Sequence, residues 1–152
     1  SLAAAKATIT EIRGKNVPEA LGRQGRRIRE GYNAIASDLG MTYTRCAGMD
    51  CRTLVSFDPG AGNPLEVKSL LQQELFKRGI LWGGSHNVSF SHSDADVAWT
   101  IEAYRDALPI VHRAVSTGSV GRALLGKAVD PVFRRTGNFN TKPAVPTGGR
   151  QG

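Results

Sequence analysis

The residue types best suited to chemistry fall in a few short stretches. Ser91, His92, Ser93 and Asp94 stand in a row and supply the types of a hydrolase triad. Adjacency in sequence is not triad geometry, and no nucleophile elbow surrounds them. His86 and His92 lie on one segment that reads as extended, so they could face the same way. Zinc would need closer pairing and further ligands, and Cys46 and Cys51 lack that spacing, so no metal site is expected. Gly60, Ala61 and Gly62 share the opening of a phosphate loop but lack its third glycine, and they read as a turn before a capped helix. Gly83 and Gly84 read as a strand-to-strand turn rather than an anion nest. No two carboxylates share an evident cleft face: Glu66 and Asp96 read as caps, Glu74 as the partner of Arg78. Residue types alone yield no catalytic set.

The elements that would carry these residues follow from periodicity. Residues 1–13 are Ala-rich and end at Gly14, which predicts the last turns of a helix begun upstream. Asn16, Pro18 and Glu19 supply the start of a second helix, in which Leu21, Ile28, Tyr32, Ile35 and Leu39 recur at helical spacing up to Gly40. Residues 42–47 and 51–57 are rich in Thr, Val, Tyr and Phe and predict a β-hairpin, with Cys46 and Cys51 flanking its turn as free thiols that could sit opposite each other. Asn63, Pro64 and Glu66 open a third helix, buried through Val67, Leu70, Leu71 and Leu75 and ending at Gly79. Residues 80–82 predict a short strand, 83–85 a turn and 87–91 a further strand. Ser93 and Asp96 cap a last long helix whose buried face is Val97, Ile101, Tyr104, Leu108, Val111 and Val115, with a kink or break at Pro109. The expected fold class is α/β of the α+β type, a three- to four-stranded mostly antiparallel sheet with helices packed on one face.

With 152 residues, 40% hydrophobic and 22% charged, the chain fits one globular domain that needs no staples. No apolar run approaches a membrane span, and no signal peptide opens the chain. Two cysteines do not make a secreted disulfide framework, which points to a reducing, cytoplasmic setting. The net charge of +7 is concentrated: residues 112–152 hold Arg113, Arg122, Lys127, Arg134, Arg135, Lys142 and Arg150 against Asp130 alone. These cations sit among Gly, Pro, Thr and Asn, the pattern of a solvated tail and not of a nucleic-acid surface. Residues 1–126 are read as the domain and 127–152 as a basic Gly/Pro-rich tail. The opening Ser1-Leu2-Ala3-Ala4-Ala5, without an initiator Met, suggests a piece of a longer polypeptide.

Four segments carry a resemblance. They are residues 1–9, the run Leu75-Phe76-Lys77-Arg78-Gly79-Ile80-Leu81-Trp82, the run Val88-Ser89-Phe90-Ser91-His92-Ser93-Asp94-Ala95-Asp96-Val97, and Asp130-Pro131-Val132-Phe133-Arg134-Arg135. In order and spacing they resemble the C-terminal, smaller domain of class III pyridoxal-phosphate (PLP) aminotransferases, in the glutamate-1-semialdehyde aminomutase-like branch. The resemblance implies a small, mostly antiparallel sheet covered by helices. It also implies PLP as cofactor of the full-length protein, a homodimer, and a small amine or amino-acid substrate. The Schiff-base lysine would lie upstream, in an N-terminal cofactor-binding domain of the same polypeptide. None of Lys6, Lys15, Lys68, Lys77, Lys127 or Lys142 sits in a comparable context, so the chain alone is expected to be inactive. Many class III enzymes carry an arginine in the strand before the final helix, whereas residues 87–91 have none, which favours the aminomutase-like branch or an atypical amine. The resemblance places the segment 83–87 at the active-site mouth, with Ser85, His86 and Asn87 as substrate-binding residues offering neutral donors and acceptors. The alternative is a non-catalytic interaction module whose basic tail binds an acidic partner.

Overall fold

The structure, a computed structural model, describes residues 1–130. Helix α1 (Leu2–Gly14) leads into α2 (Val17–Asp38), followed by strands β1 (Thr44–Met49) and β2 (Arg52–Phe57). After a single 3-10 turn (Pro59–Ala61) come α3 (Pro64–Lys77), β3 (Ser85–Asn87), α4 (Asp94–Ser116) and the short α5 (Val120–Ala123). The sheet is antiparallel throughout in the order β1-β2-β3, with α2 and α3 packed on its inner face and α4 packed against both helices. That is the expected α+β layer arrangement, with three strands.

The helix boundaries follow the start and stop residues. Asn63 accepts from the Leu65 amide at the head of α3. Ser93 and Asp96 form a reciprocal capping box on α4, with Asp96 Oδ2 accepting from the Ser93 amide at 2.8 Å. Asn16 holds the cap position of α2, but its amide goes to the Glu19 carboxylate instead. Helices α2, α3 and α4 end alike: the residue after the glycine donates back to a carbonyl five residues earlier, as in Met41 to Ala36, Ile80 to Leu75 and Ser119 to Ala114. The buried stripes meet in one core containing Tyr32, Leu70, Leu71, Leu75, Tyr104, Leu108 and Val111. Each such side chain contributes about 1.5–3 kcal/mol by leaving water.

Four local expectations change. Residues 80–82 are not a strand: the Ile80 amide closes α3, and the Trp82 carbonyl accepts from Gln72 Nε2, so α3 satisfies this backbone. The third strand is Ser85–Asn87 rather than 87–91. Beyond it, Ser89 donates its amide to His92 Nδ1, and the His92 amide donates to the Ser89 carbonyl, which bends the chain into a turn. Pro109 does not break α4, because Ala103, Tyr104, Ala107, Leu108, Val111 and Ala114 are buried on both sides of it and outweigh one absent hydrogen bond. Finally, Cys46 lies opposite Val55 while Cys51 falls in the two-residue turn, so the two free thiols are not paired across the strands.

The segment after α5 is tied to α3: Gln73 receives the Leu125 amide, and Ser69 Oγ receives the Val129 amide, each at 2.8 Å. The rest of the basic tail, with Arg134, Arg135 and Lys142, lies outside the described residues. Among the described residues, no helix is long and apolar enough to cross a membrane.

Candidate functional site

Strand alternation separates the three residues expected to meet a substrate. Ser85 pairs with Leu54 and Asn87 with Arg52, and this phase of the sheet is its open, outer face. His86 pairs with Thr53 on the opposite phase and is buried against the helices. Its two ring nitrogens are both engaged, Nδ1 with the Thr53 hydroxyl at 2.8 Å and Nε2 with the Tyr104 hydroxyl at 2.6 Å. A neutral imidazole donates through one nitrogen and accepts through the other, so it fits this setting without a charge. Burial pushes its pKa down to about 4. The Tyr104 hydroxyl is pushed far above its ordinary value by burial, and the Cys46 thiol, 3.9 Å from His86 Nδ1, is also pushed up by burial. His86 therefore acts as a pin between β3 and α4, and only Ser85 and Asn87 carry side chains to the outer face.

That outer face is not uncharged. Register brings the exposed Arg52 beside Asn87, with no ion pair to another described residue. Sequence reasoning missed it because the pairing partner of β3 lies more than thirty residues away and leaves no local signal.

A cleft of about 510 Å³ runs beside β3. Its walls are residues 79–83, β3 with Val88, and the first turns of α4 including Val97, Trp99 and Thr100. Trp99 lies on the backbone of Gly79: a methyl group there would come within 3.0 Å of the indole, and φ is +77°. His92, its Nδ1 fixed by the Ser89 amide, and Asp96, held by its cap, stand at one end. No lysine lines this cleft. Lys6, Lys15 and Lys127 are exposed, Lys77 is bonded to Glu74 at 2.6 Å, Lys68 lies along Gly84, and Lys142 is outside the described residues. Without an enclosed lysine, the described residues do not fit PLP as a covalently held group. Among them, no three of His, Cys, Asp or Glu gather as metal ligands.

No protein-family model matches the chain, and no curated protein matches it. Among solved structures, the fold is found as part of a PLP-dependent enzyme. The particular structure is the FumI protein of Sphingopyxis sp. MTA144 in its PLP internal aldimine form, 25% identical with a TM-score of 0.64. The likeness covers 76% of this chain and 28% of that one, so the chain matches well under a third of that protein's length. The fold is thus that of a PLP-enzyme domain.

Proposed function

We propose that this chain is the smaller domain of a class III PLP-dependent aminotransferase or aminomutase of the glutamate-1-semialdehyde aminomutase-like branch. In this reading it covers one side of an active site whose Schiff-base lysine comes from an N-terminal cofactor-binding domain. The full-length enzyme is a cytoplasmic homodimer that moves the amino group of a small amine or amino acid. The observation that carries the reading is the likeness to FumI over 76% of the chain. Ser85 and Asn87, on the outer sheet face beside Arg52, are the side chains proposed to meet substrate, with His86 holding their strand in place.

The test uses both forms of the protein. The chain alone, mixed with PLP and borohydride, should acquire no stoichiometric label on one lysine. The full-length polypeptide should transfer an amino group, and Ser85→Ala and Asn87→Ala should lower its turnover while leaving its Tm nearly unchanged. Site-specific labelling of the chain, or wild-type kinetics in both variants, would overturn the corresponding part.

A further inference from the structure

The two edges of the sheet are treated differently. At the β1 edge part of the outward main chain is capped from α2: Asn33 accepts the Cys46 amide and donates to the Cys46 carbonyl, both at 2.9 Å, and Arg29 donates to the Gly48 carbonyl. At the β3 edge nothing comparable is present. Val55 donates to the Gly84 carbonyl and Val88 to the Cys51 carbonyl. Antiparallel alternation then turns Gly84, His86 and Val88 toward β2, and the amides and carbonyls of Ser85 and Asn87 away from it. These four outward groups have no partner among the described residues.

The free edge opens into the cleft, which is lined by four consecutive residues, Ser85 to Val88, and by none of β2. Its far wall is apolar and exposed: Leu81 is 92% accessible and Trp99 54%. Two amide–carbonyl sets two residues apart match the repeat of an extended polypeptide. An unpaired edge of this kind is a template for strand addition.

We propose that the β3 edge receives one extended segment of a partner polypeptide as a fourth strand. Its main chain bonds Ser85 and Asn87, and its apolar side chains lie against Trp99 and Leu81. The concave wall favours a slender single strand over the β3 edge of a second copy, which would bring two walls into collision. This inference does not depend on the PLP reading, since it rests on main-chain groups alone.

Two peptides test it by NMR on the isotope-labelled 152-residue chain. One is acetyl-Thr-Val-Thr-Val-Thr-amide, and the other is the same peptide with N-methylated valines. The first should shift the Ser85 and Asn87 amides saturably and slow their hydrogen exchange. The N-methylated peptide should bind at least about tenfold more weakly, the loss expected when two main-chain donors are removed. Asn87→Pro, which removes an outward amide and leaves the β2 pairing intact, should weaken binding similarly. Equal binding of both peptides, or no shift at millimolar peptide, would overturn the proposal. So would slow exchange of these amides in the free chain, whether relieved by dilution, which indicates a second copy, or by removing residues 131–152.

Discussion

Burial of His86 between Thr53 and Tyr104 lowers its pKa from 6.5 to about 4, so the unfolded chain binds more protons there than the folded chain. Stability contributed by the neutral ring is complete above about pH 6.5 and falls as acid is added, with the loss finished near pH 4. About 2 kcal/mol should disappear between pH 7 and pH 5. The first-turn carboxylates Asp94 and Asp96 of α4 are held low chiefly by their hydrogen bonds from Gln24 and Ser93. For Glu74, burial pushes the pKa up, but bonds from Lys77, Gln73 and Arg78 prevail and hold it below 4.5. Those carboxylates lose their contributions only at lower pH. Urea unfolding at pH 7 and pH 5 should therefore show the His86 loss, and His86→Gln should shrink it; an undiminished loss would place its cause elsewhere. The sequence could propose His86 but not its direction. A strand read as 87–91 leaves it in a turn, whereas a strand at Ser85–Asn87 puts it on the buried phase, and a shift of one residue exchanges the faces.

At the scale of elements, α2 and the hairpin touch most closely where Gly25 meets Asp50. A methyl group on Gly25 would lie 1.5 Å from the Asp50 carbonyl oxygen, while Arg26 and Arg29 from the same helix hold the Asp50 carboxylate. Gly25→Ala should therefore destabilise the fold by about 2–4 kcal/mol although alanine is the better helix former. Gly22→Ala, in open space on the same helix, should instead be neutral or stabilising by up to about 1 kcal/mol. Urea unfolding of both variants checks this, and equal effects would mean that helix propensity alone governs α2. Helices were legible because their signals are local: the Ser93–Asp96 box, the Asn63 cap and the glycines after α2, α3 and α4 all act within a few residues. Short strands were not, since Ile80 and Trp82 have strand-forming side chains but their backbone is claimed by α3.

Across the whole molecule, the core begins at α2. Helix α1 buries none of its residues, and Leu2 and Ile9 are exposed. A 13-residue helix is marginal on its own, so removing residues 1–15 should change the unfolding free energy by no more than about 0.5 kcal/mol. Matched urea curves for the whole and shortened chains measure it, and a larger loss would show that α1 contributes to the core's stability. The α2–hairpin approach has a consequence for how the chain assembles. Arg26 and Asp50 are 24 residues apart, whereas the contact of Gln24 with Asp94 that joins α2 to α4 spans 70. Closing the shorter loop costs less chain entropy, and its reward is a backbone fit that only glycine allows. The α2–hairpin contact therefore costs less chain entropy to close than the α2–α4 contact, and the hairpin can dock on α2 before α4 does.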